Sequence, residues 1–256
     1  MSNILFRIKS YISYLTRCVG PHALHSPFLF DLYNQVVIPS KKYRLASVEN
    51  LRNNLKKNEQ IVDLYDLKTG KNYRQTVGYI AKTSLSRTRF SAFLNRLIDY
   101  LAIERAVETG TSLGVNTLYM AGSDKVKRVV TIEASPILAS IATKQFSELL
   151  QHKIQINEGT IQDIFESTIA SVQPELCFID ADHRSGAVLF CLDKIMKHCP
   201  EIKCIVIHDI YWSQDMLKAW NQVQADFRFN LTIDIFHAGI IFPNKEMPKQ
   251  HFALRF

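Results

Sequence analysis

Short apolar runs alternate with amphipathic segments along the last two thirds of the chain. Five of the runs have the near-continuous hydrophobicity of strands buried in a parallel sheet, and apolar residues at helical spacing follow each of them. The five predicted strands cover residues 105–108, 128–133, 153–157, 175–180 and 203–207. Five strand–helix units in succession predict a doubly wound α/β fold, with ligands bound at the carboxyl ends of the strands.

The end of the chain is rich in strand-like runs. Residues 231–236 and 240–242 flank a turn at His237-Ala238-Gly239, and a last run covers 252–256. This arrangement predicts an antiparallel hairpin at the C-terminal end of the sheet. With the helical pattern over 84–101, it predicts a Rossmann-like α/β domain over residues 84–256, with a seven-stranded sheet.

The first third of the chain has a different pattern. Apolar residues at helical spacing predict three helices, over residues 1–20, 26–37 and 45–57, and the polar segment 68–71 predicts a turn. No one of these helices has enough apolar residues to fold alone. We therefore expect residues 1–83 to form a helical N-terminal extension that covers the strand ends as a lid.

Composition adds limits on location and partners. No apolar run approaches the roughly 20 residues that span a bilayer, and the five cysteines have no metal-binding spacing. We therefore expect a cytoplasmic protein with no membrane partner. The net charge is +7, and residues 1–60 hold nine Lys or Arg against three acids. Such a segment can meet RNA, anionic lipid or an acidic substrate, although the absence of long charge runs favours a solvated face.

The loop after the first predicted strand contains a glycine-bounded turn. Glu108 ends the strand, Gly110 and Gly114 bound the turn, and Thr111 or Ser112 can cap the next helix. A dinucleotide fingerprint would need glycine also at positions 112 and 115, which disfavours a nicotinamide dehydrogenase. An acid that faces a helix N-terminus suits a zwitterion such as the methionine part of S-adenosylmethionine.

Further polar residues end the next strands. Glu133 lies 23 residues after Gly110, a spacing at which a carboxylate can accept both hydroxyls of a ribose. Gly159 lets an adenine edge approach the backbone near Thr160, although simple turn punctuation explains this glycine equally well. Asp180 ends the fourth strand.

The acid-x-Gly-x-x-x-Gly pattern resembles the cofactor loop of class I S-adenosylmethionine-dependent methyltransferases, and the resemblance extends over roughly residues 85–256. It implies that the chain is a methyltransferase with S-adenosylmethionine as its cofactor. The residues that it implies for cofactor binding are Glu108, Thr109, Gly110, Thr111, Ser112, Gly114, Glu133, Ala134, Gly159, Thr160 and Asp180.

Two further segments, 179–183 and 208–212, resemble the paired motifs of metal-dependent O-methyltransferases that act on small hydroxylated molecules. By position, the resemblance implies that Asp180 and His183 are catalytic, with His183 as the general base. It implies a divalent metal held by Asp180, His208 and Asp209. His208 departs from the family's pattern, because imidazole is a poor magnesium ligand and suits Zn²⁺, Fe²⁺ or Mn²⁺ better.

The resulting prediction is O-methylation of a small-molecule acceptor, with metal assistance left open. Two alternatives also stay open, an RNA methyltransferase and a non-catalytic cofactor-binding protein. The basic first segment motivates the RNA alternative, but the sequence has no base-clamping motif and no RNA-binding module. The sequence leaves open whether the chain forms a homodimer.

Overall fold

The computed structural model describes residues 3–67, 69–149, 151–243 and 248–256. The helices in these ranges are α1 (Asn3–Arg17), α2 (Pro27–Leu32), α3 (Ala46–Leu55), α4 (Val77–Thr83), α5 (Thr88–Leu101), α6 (Val115–Ala121), α7 (Pro136–Leu149), α8 (Ile161–Val172), α9 (Ser185–His198) and α10 (Gln214–Ala225). The strands are β1 (Ile61–Asp66), β2 (Lys71–Thr76), β3 (Arg105–Thr109), β4 (Arg128–Glu133), β5 (Ile154–Glu158), β6 (Leu176–Ile179), β7 (Cys204–His208), β8 (Leu231–Asp234), β9 (Ala238–Phe242) and β10 (Gln250–Ala253).

The main sheet has the strand order β10-β8-β9-β7-β6-β3-β4-β5. The five predicted central strands run parallel, and β9 is antiparallel to both β7 and β8. The doubly wound α/β fold and the C-terminal hairpin are thus confirmed. The described part of the sheet has eight strands rather than seven, because β10 adds to its edge parallel to β8.

The order of the central strands fixes where a ligand can enter. The chain runs outward from β3 to β4 and β5, and then returns to β6 on the other side of β3. The loops after β3 and β6 therefore leave the sheet in opposite directions. In open α/β sheets such a reversal opens a crevice at the carboxyl ends of the strands, which is where ligands bind.

Alternate side chains of the strands supply two apolar cores. Ala106 and Val129 face one core, where they meet α5 and the helical segment 27–37. Their neighbours Val107 and Val130 face the other core, which α8, α9 and α10 complete. The period of two residues follows from the pleat of the strands. Helices on both faces explain why these strands are apolar throughout.

The N-terminal segment is less helical than predicted. Strands β1 and β2 form an antiparallel hairpin between α3 and α4, where the sequence predicts only a polar turn. Gly70 provides that turn with a positive φ of 67°, whereas Lys68 lies outside the described residues. The predicted helix over 84–101 begins at Thr88, and α4 precedes it. Exposed and buried residues alternate along β1, but its exposed positions Ile61 and Tyr65 are apolar. The alternation of polar and apolar residues that predicts a strand is therefore incomplete in the sequence.

The first helices pack on the C-terminal end of the chain. The Tyr14 hydroxyl donates a hydrogen bond to the carbonyl of Leu254, and the Tyr33 hydroxyl donates one to the carbonyl of Arg255 at 2.8 Å. Leu29 and Leu32 of α2 belong to the same apolar core as the sheet. The predicted domain boundary between residues 83 and 84 stays a prediction.

Candidate active site

The loop after β3 touches the end of β6 directly. Gly110 has a positive φ of 87°, and a Cβ atom there would lie 2.6 Å from the carbonyl oxygen of Asp180. The backbone N–H of Asp180 donates to the carbonyl of Thr109 at 3.1 Å. Only glycine satisfies both the backbone conformation and this close approach. The two loops therefore meet at the point where the strand order reverses.

The helix after this loop begins later than predicted. Gly114, with a φ of 78°, occupies the N-cap of α6 and provides no side-chain cap, so neither Thr111 nor Ser112 caps this helix. The Thr111 hydroxyl lies 2.6 Å from that of Thr131, and the N–H of Ser112 donates to Glu133 Oε2 at 2.8 Å. A Cβ at Gly114 would lie 2.5 Å from Phe146 Cε1, so this glycine makes room for α7.

Glu108 is completely buried beneath this loop. Its Oε2 accepts hydrogen bonds from the hydroxyls of Thr117 and Thr131, the second at 2.7 Å, whereas Oε1 has no hydrogen-bond partner among the described residues. Burial raises the pKa of Glu108 to about 8, against the opposing effect of the two threonine hydroxyls. An unpartnered buried carboxylate oxygen is costly unless a donor meets it, and an ammonium group is a suitable donor.

Glu133 lies at the end of the neighbouring strand β4. Its two carboxylate oxygens accept backbone N–H groups, Oε2 from Ser112 and Oε1 from Ser135 at 2.9 Å. Burial raises the pKa of this carboxyl group, although these backbone donors favour the ionised form. A carboxylate has lone pairs left for two further donors, so the predicted contact with a ribose diol fits this arrangement. Ala134 is exposed beside it.

The residues predicted to approach the adenine lie beside Glu133. The N–H of Gly159 donates to the carbonyl of Glu133 at 2.9 Å, which ties the loop after β5 to the end of β4. The Thr160 hydroxyl accepts from the N–H of Asp163 and so caps α8. Gly159 therefore borders the same crevice edge, while the Thr160 side chain is engaged in its own helix.

Asp180, His208 and Asp209 come together at the ends of β6 and β7. His208 Nδ1 lies 2.7 Å from Asp180 Oδ1 and 3.7 Å from Asp209 Oδ2, although its N–H does not point along the shorter line. Burial of the imidazole, beside the ring of Phe90 at 4.6 Å, disfavours its charged form. The two carboxylates outweigh that cost and raise the pKa of His208 to about 9.

This arrangement does not fit the divalent metal that the second resemblance implies. The Asp180 carboxylate and His208 Nδ1 face each other at 2.7 Å. No group of three or more His, Cys, Asp or Glu side chains in the described ranges is placed to hold a metal ion. As they stand, the three predicted ligands form a half-buried cluster of charged and polar side chains.

His183 occupies the loop after Asp180. Its ring centroid lies 5.8 Å from that of Trp212, and the Arg7 guanidinium of α1 lies over the same indole at 4.9 Å. Within the described residues no hydrogen bond or ion pair engages the His183 ring, which is half-buried. Its ring nitrogens are therefore available to a ligand, as a general base requires.

Strained backbone concentrates around the same crevice. Among the described non-glycine residues with positive φ, Ser112, Asp182, Asp209 and Phe236 follow β3, β6, β7 and β8, with φ between 48° and 65°. Such strain clusters at functional sites because the surrounding structure must hold it in place. The sequence analysis did not single out Asp182 or Phe236.

Two other residues near the crevice were also missed. Burial and nearby cations, Arg87 first among them, lower the pKa of His237 to about 4, and its carbonyl accepts the N–H of Asp209 at 2.7 Å. Asp234 accepts a hydrogen bond from the Tyr211 hydroxyl at 2.5 Å, and Arg17 donates to the same hydroxyl at 3.0 Å. Asp234 ends β8, whereas the sequence predicts a strand that continues to residue 236, which hid this position.

Comparisons with known proteins identify a methyltransferase domain in the chain and solved structures with a similar fold. Residues 107–210 match the sequence model of a methyltransferase domain. The fold is similar to that of the O-methyltransferase from Bacillus cereus in complex with SAH (TM-score 0.57, 17% identity, 82% of this chain and 98% of that one). It is also similar to the SAH-bound methyltransferase PaMTH1 from Podospora anserina (TM-score 0.53, 16% identity, 78% and 96%). A third similar structure is the O-methyltransferase TomG from Streptomyces achromogenes in complex with SAM (TM-score 0.50, 14% identity, 62% and 80%). No curated protein matches the sequence.

The domain match supports a methyltransferase domain over residues 107–210, and the similar structures share the α/β fold that the sequence predicts. The identities are low, so the structures bear on the fold, and the acceptor and the roles of individual residues have to be argued from the site. None of the helices in the described part of the chain has the length and apolarity needed to span a bilayer.

Proposed function

We propose that the chain transfers the methyl group of S-adenosylmethionine to a hydroxyl oxygen of a small molecule. The observation that supports this most is the meeting of Gly110 and Asp180 at the reversal point, with Glu108 and Glu133 beside it. This crevice offers buried carboxylate oxygens for the ammonium and ribose groups of the cofactor. The loop backbone between them lies where the rest of the cofactor would pass.

Within this proposal, each acid has one task. Glu108 Oε1, which lacks a hydrogen-bond partner among the described residues, accepts the cofactor's ammonium group, and Glu133 accepts the ribose hydroxyls. Because Gly110 has no side chain, the cofactor can lie directly against the backbone of the loop. The half-buried pair of Asp180 and His208 holds the ends of β6 and β7 together beside the site.

The reaction itself needs alignment and a base. When bound, S-adenosylmethionine supplies a sulfonium methyl group that is attacked in line by the acceptor oxygen. A ring nitrogen of His183 takes the acceptor's hydroxyl proton as the new carbon–oxygen bond forms. The carbon–sulfur bond breaks, and its electron pair stays on sulfur. No step is assigned to a metal, because the predicted ligands are paired with one another.

The N-terminal segment is proposed as a cover over the acceptor side. Tyr11 and Tyr14 of α1 pack on Phe236 at ring distances of 4.8 and 5.5 Å, and Arg7 stacks on Trp212. Phe236 and Trp212 both lie in loops at the carboxyl ends of strands. The helix therefore lies where it can exclude water from the acceptor, which strengthens the electrostatic interactions of a site.

The experiment that tests the function is turnover with a panel of hydroxylated acceptors. We expect release of S-adenosylhomocysteine that depends on the acceptor, with mass spectrometry showing one added methyl group on oxygen. A matched panel of amine and thiol acceptors serves as the control. Cofactor binding without methylation of any hydroxylated acceptor would favour the non-catalytic alternative instead.

A further inference from the structure

One face of α1 carries a row of aliphatic side chains that stay exposed. The row consists of Ile4, Ile8, Ile12 and Leu15, with exposed fractions of 73%, 52%, 56% and 46%. Steps of three and four residues put all four on the same side of the helix. Tyr14, on the opposite side, is buried against the body of the protein. Helix α1 therefore packs on the protein through one side and carries an exposed aliphatic row on another.

Such a row is unusual on the surface of a soluble domain. Single exposed apolar residues are common and need no explanation, but contiguous apolar surface marks an interaction site. The inner face already accounts for the packing of α1, through Tyr14 and the contacts with Phe236 and Trp212. The outer row has no role in that packing.

The charges around the row have a single sign. Arg7 and Lys9 precede and follow Ile8 in the sequence, so that at 100° per residue they lie on either side of the row. Residues 3–30 contain no acidic residue. An aliphatic stripe flanked by long basic side chains is typical of helices that lie in the plane of a membrane interface.

We propose that α1 docks this outer face on an anionic lipid surface. The four aliphatic side chains would enter the boundary between headgroups and acyl chains, while Lys9 reaches anionic headgroups beside them. Charge complementarity selects this occupant over a second copy of the chain, because two such helices would bring cations against cations. This surface binding needs no membrane-spanning segment, and it revises the expectation from the sequence that the chain has no membrane partner.

The inference is independent of the reaction, but it has a geometric consequence. Helix α1 contacts Trp212 and Phe236 through its inner side, and both residues lie at the carboxyl ends of strands. Docking of the outer side would therefore bring that edge of the sheet towards the lipid surface. An acceptor held in the membrane would then be close to the site.

Co-sedimentation of the full chain with lipid vesicles tests the proposal. We expect binding to vesicles that contain phosphatidylglycerol, weak binding to pure phosphatidylcholine, and loss of binding as salt is raised. The double variant Ile8→Ser/Ile12→Ser should bind about tenfold more weakly or worse. Lys9→Glu should weaken binding by at least roughly fivefold. Ile61→Ser, which makes the same change at a residue 66% exposed in β1, is the matched control and should bind normally.

Three results would overturn the proposal. The first is no binding to anionic vesicles by the wild-type chain, and the second is equal binding by all variants that keep the wild-type melting temperature. The third is a wild-type dimer, seen by light scattering, that Ile8→Ser/Ile12→Ser converts to a monomer, because the face would then be covered by a second copy. If the double variant fails to fold, Lys9→Glu alone decides between these results.

Discussion

Replacement of Glu108 by glutamine tests two effects of this buried carboxylate separately: its effect on the free energy of unfolding and its effect on cofactor binding. Burial raises the pKa of this carboxyl group from 4.5 to about 8, so the folded cofactor-free protein favours the neutral acid. A raised pKa contributes stability that is fully present below the unfolded value and is lost as pH rises through the folded value. The stability attributable to Glu108 therefore falls between about pH 4.5 and pH 8.

The size of the effect follows from the shift. A rise of this extent corresponds to roughly 4–5 kcal/mol in the free energy of unfolding across that pH interval. Glutamine keeps the shape and cannot ionise, so Glu108→Gln should lose this part of the pH dependence. It retains a carbonyl oxygen that can accept from Thr117 or Thr131. Without cofactor, the free energy of unfolding of the variant should exceed that of the wild type by a few kcal/mol at pH 8. At pH 5 the two values should be closer.

Urea unfolding between pH 5 and pH 8.5 measures this difference, with Glu158→Gln at the exposed end of β5 as the control. In Glu108→Gln, calorimetry should also show weaker binding of S-adenosylhomocysteine, because the ammonium group of the ligand loses its charged partner. Parallel pH profiles for the wild type and Glu108→Gln would refute the argument from burial. Unchanged cofactor affinity would remove Glu108 from the binding site.

The remaining predictions concern the cofactor, the base and the metal. Glu133→Ala should weaken binding of S-adenosylhomocysteine by about 1–3 kcal/mol, since a charged hydrogen-bond partner is lost; an unchanged calorimetric Kd would exclude the ribose contact. His183→Ala should lower kcat by roughly 10²–10⁴ with little change in cofactor Kd, and steady-state kinetics near the wild-type rate would show that the proton goes elsewhere. Chelation with EDTA should leave turnover unchanged, because Asp180 and His208 are engaged with each other; restoration of lost activity by Mn²⁺ or Zn²⁺ would contradict this.

The sequence predicted the central sheet well because its signal is local and strong. A continuous apolar run such as β4 is typical of a strand that helices cover on both faces of a sheet. This strand is predicted and observed over residues 128–133. The polar residues at strand ends were found for a related reason, since parallel strands bring their carboxyl ends to one edge. Glu133, Asp180 and His208 each end or directly follow a predicted strand, so the sequence places all three on that edge.

The predictions that the structure corrects concern features that depend on tertiary contacts. The hairpin of β1 and β2 has exposed apolar positions, and pattern alone did not reveal it. The cap of α6 fell on Gly114 because Thr111 and Ser112 bond to the neighbouring strand β4 and its end instead. The approach of His208 to Asp180 depends on two strands and on burial, so the sequence alone did not reveal it; the divalent metal stays a prediction.

Calorimetric titration with S-adenosylhomocysteine tests the central claim most directly. We expect one binding site per chain in the wild type, no binding of NAD, and loss of that site in Gly110→Ala. The alanine Cβ would meet the Asp180 carbonyl at 2.6 Å in a backbone region of positive φ, where the strain alone costs about 1–3 kcal/mol. Gly20→Ala, the same change at a glycine where an added Cβ meets nothing within 4 Å, should keep the wild-type affinity. The claim is contradicted if the wild type binds no S-adenosylhomocysteine, or if a folded Gly110→Ala binds it as the wild type does.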